Sequence, residues 1–93
     1  PTRITVDSRS HPSFTIIDIE TPDRMGLLYD LFAVLRRLDL TVELARITTE
    51  KEVAMDTFYV CRAGDSGKVT GDRDIRALQR ALHEAAVSGG ERS

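Results

Sequence analysis

The chain has 93 residues, which is enough for one small domain with a single hydrophobic core. Its 13 basic and 15 acidic residues are dispersed and give a formal net charge of -2, so it lacks the clustered positive charge that binds nucleic acids. No apolar run approaches the ~20 residues that cross a bilayer, and no N-terminal signal pattern is present. We therefore expect one cytoplasmic domain over residues 1–88 and a polar tail at 89–93, with neither nucleic acid nor a membrane as partner.

Two strands are predicted before the first helix. Residues 2–7 alternate Ile4 and Val6 with polar neighbours, which is typical of a half-buried strand. Residues 14–20 are apolar on both faces, as in an interior strand of a sheet. The intervening Ser, His and Pro residues predict a loop, so the two strands can form an antiparallel pair.

The first helix is predicted over residues 26–38. Apolar residues recur there every three or four positions, which gives the helix one broad buried face. This face consists of Leu27, Leu28, Leu31, Phe32, Leu35 and Leu38. The side chains predicted to face solvent are Tyr29, Asp30, Arg36 and Arg37. Asp23 is predicted to be the N-cap residue, with its side chain accepting a hydrogen bond from the amide of Gly26.

Two more strands are predicted after this helix. Residues 40–49 form a strand whose apolar phase changes between Leu44 and Ala45, which we interpret as a β-bulge. A charged hairpin turn at residues 50–52 leads into a strand at 53–61 that is rich in Val, Met, Phe and Tyr. The strand pair is therefore predicted to be antiparallel.

A second helix is predicted after a surface turn at residues 64–67. Asp72 and Asp74 favour its N-terminus, and its apolar face consists of Ile75, Leu78, Leu82 and Ala85. The element order predicts an α+β fold, a ferredoxin-like open-faced sandwich in which two helices pack on one face of a four-stranded antiparallel sheet. No strand is predicted after the second helix, so the N-terminal hairpin takes the place of the usual last strand. The predicted order is therefore permuted to β-β-α-β-β-α.

The turn before the first helix is the candidate binding site. Free backbone amides and the positive end of the helix dipole lie at a helix start, and Asp23 adds a carboxylate. The amides of Gly26, Leu27 and Leu28 are expected to face the α-carboxylate of an amino acid, while Asp23 receives its α-ammonium group. The alternative is that Asp23 only caps the helix and binds no ligand.

Three segments of the chain resemble an ACT domain. They are residues 22–30, 38–42 and 56–60, with the sequences Pro-Asp-Arg-Met-Gly-Leu-Leu-Tyr-Asp, Leu-Asp-Leu-Thr-Val and Asp-Thr-Phe-Tyr-Val. More narrowly, residues 2–87 are similar to the C-terminal ACT domains of bifunctional uridylyltransferase/uridylyl-removing enzymes, which modify the nitrogen-signalling PII protein. The resemblance implies a non-catalytic regulatory domain that binds an amino acid, glutamine above all, without a cofactor. Uridylyl transfer in such a parent protein would belong to other domains.

The same resemblance implies where the ligand lies and what pairs with the domain. Its site is between the first core strand, the helix start and the next strand, often at a dimer interface, and the contacts carried over by position fall on Thr21, Asp23 and Thr41. Met25 stands where the family usually has Pro, and Thr41 stands where Asn is common. These departures favour a second hypothesis, in which the domain forms a homodimer or pairs with another ACT domain and binds no small molecule.

Other patterns in the chain do not predict a site. Residues 64–69 contain a Gly-Lys pair but lack the spacing of a phosphate-binding loop. His11 and His83 have no Cys or acidic partners at metal-ligand spacing, so no metal is predicted. A stand-alone acyl-phosphate hydrolase of this fold would need an Asn to support its Arg loop, and the chain contains no Asn.

Overall fold

The computed structural model describes residues 1–88 and contains the six predicted elements in the predicted order. These elements are β1 (Arg3–Asp7), β2 (Thr15–Pro22), α1 (Leu27–Arg37), β3 (Leu40–Glu50), β4 (Val53–Arg62) and α2 (Asp72–Ser88). The polar tail predicted at residues 89–93 lies outside the described residues.

The four strands form one sheet in the order β1-β2-β4-β3, and every neighbouring pair is antiparallel. β1 lies at one edge beside β2, with Ile4 opposite Ile19. This is the place that the last strand takes when the order is not permuted, as expected from the N-terminal hairpin. The predicted ferredoxin-like sandwich is therefore confirmed.

The core lies between the sheet and the two helices. Burial alternates along β2 and β4 because successive side chains of a strand point to opposite faces of the sheet. On the helix-covered face, β2 contributes Ile17 and Ile19 while β4 contributes Phe58 and Val60. The helices cover these residues with Leu31, Leu35 and Leu82.

The predicted bulge is present in β3, just before Leu44 rather than just after it. The pairing of β3 with β4 shifts between Val42 and Leu44, so Glu43 has no partner of its own. The extra residue turns Leu44 toward the uncovered face of the sheet, while Ala45 and Ile47 lie on the helix-covered side. Beyond Val42 this edge strand is exposed to solvent.

The start and end of α1 differ from the prediction. Asp23 is not the N-cap; Gly26 holds that position with a φ of 82° and no side-chain hydrogen bond. The chain makes a further turn after β2 before the helix begins, and glycine adopts the left-handed conformation at its end without steric strain. Leu38, predicted to be buried, lies just beyond the helix and is 40% exposed. Asp30, predicted to face solvent, is half-buried and pairs with Arg24.

Candidate functional site

The first turn of α1 carries backbone amides that donate to no acceptor in the described part of the chain. The amide of Leu27 donates to the carbonyl of Arg24 at 3.3 Å, and the amide of Asp30 donates to Gly26 at 3.0 Å. Between them, the amides of Leu28 and Tyr29 have no hydrogen-bond acceptor among residues 1–88. They lie at the positive end of the helix dipole, where an anionic group is stabilised.

A cavity of about 230 Å³ lies beside this helix start. It is open to solvent and is bounded by the loop before α1, the first turn of α1, the end of β3 and the start of β4. Its lining residues are Asp23, Arg24, Gly26, Leu27, Leu28, Tyr29, Ile47, Thr49, Ala54 and Asp56. Pockets for drug-sized ligands are usually ~300–1,000 Å³, so this one suits a single small molecule.

Four of the six predicted site residues line the cavity: Asp23, Gly26, Leu27 and Leu28. Thr21 lies below it, fully buried, and its hydroxyl is hydrogen-bonded to that of Thr2 at 2.7 Å.

Thr41 lies far from the cavity within one copy of the chain. It pairs with Cys61, whereas the cavity-lining Thr49 pairs with Ala54 at the other end of the strand pair. The eight intervening steps correspond to about 26 Å at ~3.3 Å per residue. Thr41 therefore cannot contact a ligand that the first turn of α1 holds in the same copy.

Asp56 is a cavity residue that the sequence analysis missed. It is 2% exposed and lies on the helix-covered face of β4, between Ala54 and Phe58. Its Oδ1 accepts a hydrogen bond from the amide of Thr48 at 3.2 Å. Burial raises the pKa of the Asp56 carboxyl above its ordinary value, and the negative charge of Asp23 raises it further, while the Thr48 hydrogen bond opposes both. The sequence does indicate Asp56 as unusual, because it is an acidic residue at a strand position whose alternation, between Ala54 and Phe58, predicts a buried apolar side chain.

Arg24 also lines the cavity, but its charge is already engaged elsewhere. Its Nη2 donates to the carbonyl of Ala85 at 2.8 Å and lies 3.0 Å from Oδ2 of Asp30. Its Nε donates to the carbonyl of Ala86 at 3.4 Å. Arg24 thereby places a cation at the C-terminal end of α2, whose last turn at residues 85–88 contains no basic residue. Within residues 1–88, the other charged side chains that line the cavity are those of Asp23 and Asp56.

The cavity thus presents two opposite polarities. Helix amides at Leu28 and Tyr29 favour an anionic group, and the carboxylates of Asp23 and Asp56 favour a cationic one. A small zwitterion fits both sides at once.

His11 and Lys68, for which the sequence predicts no binding site, make structural contacts. Nδ1 of His11 accepts hydrogen bonds from the amides of Ser13 and Phe14 at 3.0 and 3.1 Å. Nζ of Lys68 donates to the carbonyls of Ser8 and His11 at 2.8 and 2.9 Å. Lys68 therefore ties its turn to the loop between β1 and β2.

The described residues contain neither a metal-ligand cluster nor a membrane-length helix. No three His, Cys, Asp or Glu side chains within residues 1–88 are grouped so that they could hold a metal ion. No helix in the same range is both long and apolar enough to span a bilayer.

Comparison with known proteins matches nearly the whole chain to one domain type. Residues 3–88 match a family model described as an ACR9-like, ACT-like domain. A bifunctional uridylyltransferase/uridylyl-removing enzyme of Ruegeria pomeroyi is 37% identical over 93 residues, which is 100% of the chain and 10% of that enzyme. An enzyme of the same name from Azospirillum brasilense is 37% identical over 87 residues, or 92% of the chain and 9% of the enzyme. The ACT domain-containing protein ACR1 of Arabidopsis thaliana is 32% identical over 90 residues, or 96% of the chain and 18% of that protein.

The chain spans about 10% of the length of the bacterial relatives that it matches. No solved structure matches the chain significantly.

Proposed function

Since the chain belongs to the ACT domain family, a family of non-catalytic regulatory domains, we propose that it binds an amino acid and that glutamine is its preferred ligand. The observation that carries this proposal is the cavity at the start of α1, which is lined by two residues whose helix amides are unpaired among residues 1–88 and by the acidic residues Asp23 and Asp56. The α-carboxylate of the amino acid would accept from the amides of Leu28 and Tyr29. Glutamine is named because the sequence resembles the ACT domains of the PII-modifying enzymes.

Binding would act by favouring one arrangement of the domain and its neighbours over another. A ligand can shift such an equilibrium only by the difference between its affinities for the two arrangements. The uridylyl-transferring and uridylyl-removing activities named for the bacterial relatives would, in this proposal, belong to other domains of a longer parent protein. A cytoplasmic location is part of the same proposal.

A second function, pairing with another ACT domain without a ligand, is favoured by the exposed edge of the sheet. β3 is an edge strand of 11 residues, and its side chains Leu44 and Ile47 are 55% and 45% exposed. An exposed edge strand offers unpaired backbone groups to a strand of another chain. A homodimer with two-fold symmetry would result from pairing two copies of β3.

Isothermal titration of the 93-residue chain with glutamine and with a panel of other amino acids distinguishes the two functions. Saturable heat with glutamine, and weaker or no heat with the others, is the result expected from the proposed function. Saturable heat with a different amino acid would keep amino-acid binding and refute the choice of glutamine. Flat traces throughout, together with a dimer in sedimentation equilibrium, would refute ligand binding and favour assembly.

A further inference from the structure

We propose that Asp56 is the group that recognises the ammonium group of the ligand, so that the cavity accepts free amino acids and rejects their N-acylated forms. This inference rests on the proposed function and adds to it the residue that sets the chemical class of the ligand. It differs from the sequence-based expectation, in which Asp23 alone receives the ammonium group.

The first argument is the unused hydrogen-bonding capacity of the Asp56 carboxylate. Oδ1 accepts the Thr48 amide at a long 3.2 Å, and Oδ2 accepts no hydrogen bond from any of residues 1–88. In the described part of the chain, every fully buried side-chain oxygen or nitrogen has a hydrogen-bond partner. Since Oδ2 has no such partner, it is not fully buried and must be reachable from open space. Asp56 lines two cavities, one that also contains Arg3 and Asp18 and the one beside the first turn of α1. Its side chain lies on the helix-covered face, opposite Ile19, so the open space that Oδ2 reaches is assigned to the cavity beside α1.

The second argument is that, among residues 1–88, no basic side chain that lines the cavity is left free to compensate the charge of Asp56. A carboxylate with so little exposure is costly to keep ionised unless a cation or several hydrogen-bond donors face it. Arg24 is the basic side chain that lines the cavity, and its guanidinium is engaged by Asp30 and the end of α2. Asp23, on the exposed side of the same cavity, adds a second negative charge. A ligand ammonium group between Asp23 and Asp56 would offset one of these two negative charges.

The third argument is that the polarity of the cavity orients the ligand. The amides of Leu28 and Tyr29 lie on the α1 side, and Asp56 lies on the β4 side. An amino acid would therefore direct its carboxylate to α1 and its ammonium group to β4. Acylation of the amine removes the positive charge and adds a carbonyl oxygen, which would face a buried carboxylate.

Asp56→Asn is the test variant because it removes the charge and keeps an oxygen for the Thr48 amide. Asp18→Asn is the matched control, since Asp18 lies on the uncovered face of the neighbouring strand and its Oδ1 accepts a hydrogen bond from Thr57 at 2.6 Å. Far-UV circular dichroism of both variants verifies that they fold. Each protein is titrated with glutamine, with the other amino acids of the panel and with N-acetylglutamine.

We expect Asp56→Asn to weaken binding of the amino acid at least about tenfold, because a hydrogen bond to a charged group is lost. Asp18→Asn should bind as the parent chain does, and N-acetylglutamine should give no saturable heat with any of the proteins. Binding by Asp56→Asn within about twofold of the parent, or binding of N-acetylglutamine as tight as that of glutamine, would overturn this inference while leaving the proposed function in place. Flat traces of the parent chain with every amino acid would overturn both.

Discussion

Arg24 joins the candidate site to the end of α2. Replacing it by Met tests how much this connection contributes to the stability of the domain. Its Nη2 donates to the carbonyl of Ala85 at 2.8 Å and lies 3.0 Å from Oδ2 of Asp30. The side chains of Arg24 and Asp30 are 18% and 16% exposed, so water screens this ion pair less than it screens a surface pair. Arg24→Met keeps an unbranched apolar stem and removes the guanidinium group.

We expect Arg24→Met to lower the free energy of unfolding by about 2–4 kcal/mol. A hydrogen bond to a charged group contributes ~1.5–3 kcal/mol, and a cation at a helix C-terminus adds ~0.3–1 kcal/mol. The Nε contact with Ala86, at 3.4 Å, is too long to add to this sum. In a domain of this size ~1 kcal/mol shifts the melting temperature by ~4–8 °C, so the melting temperature should fall by about 8–30 °C.

Urea unfolding followed by circular dichroism measures this loss, and hydrogen exchange localises it. In Arg24→Met the amides of the last turn of α2 should exchange faster than in the parent chain. Arg80→Met is the control, because Arg80 is exposed on the same helix and has no hydrogen-bond or ion-pair partner among residues 1–88. A loss below about 0.5 kcal/mol, or one no larger than that of Arg80→Met, would refute the reasoning, since ordinary surface substitutions have effects of that size.

Three further predictions concern the turn, the core and the buried acid. Gly26→Ala, at a φ of 82°, should lower the free energy of unfolding in urea by about 1–2 kcal/mol. Gly64→Ala is the control, because an added Cβ there meets no atom within 4 Å, and its effect should stay within about 0.5 kcal/mol. Equal losses in the two variants would contradict this explanation. Phe58→Ala should cost about 3–5 kcal/mol by the same assay, because Phe58 is 0% exposed; a loss under about 1 kcal/mol would mean that the core collapses around the missing ring. Burial raises the pKa of the Asp56 carboxyl above its ordinary 3.8, so the native state binds the carboxyl proton more tightly than the unfolded state does. The free energy of unfolding therefore falls as the pH rises from below 3.8 through the raised pKa of the native state. Asp56→Asn should therefore gain stability relative to the parent chain across that window, and equal pH slopes of the two proteins would exclude this cause.

The sequence predicted the elements well because burial itself produces the periodicity from which they were predicted. The alternation along β2 and the three-and-four spacing along α1 both follow from which face is covered. The phase change in β3 likewise indicated a bulge, although only the pairing with β4 identifies Glu43 as the extra residue.

The features that the sequence could not predict depend on contacts between distant segments. The N-cap depends on how many residues the chain uses to turn from β2 into α1. The sequence does not show that this turn ends at the left-handed Gly26 rather than at Asp23. The α2 carbonyls that accept hydrogen bonds from Arg24 lie more than 60 residues away along the chain, and no local pattern reports them. Asp56 is intermediate, since its odd position in an apolar face is visible in the sequence but the cavity that makes it significant is not.

The loop at the candidate site is held at two points, and this arrangement would give the proposed ligand binding a physical route to the rest of the domain. The amide of Asp23 donates to the carbonyl of Glu52 in the β3–β4 turn at 2.8 Å, and Arg24 holds the end of α2. A ligand between the first turn of α1 and Asp56 would contact the elements on both sides of this loop. Allosteric coupling is typically worth ~1–3 kcal/mol, which is comparable with the contribution of a charged hydrogen bond such as that of Arg24. Under the proposed function, ligand binding would therefore need to change only one contact of this size to alter how α2 is held.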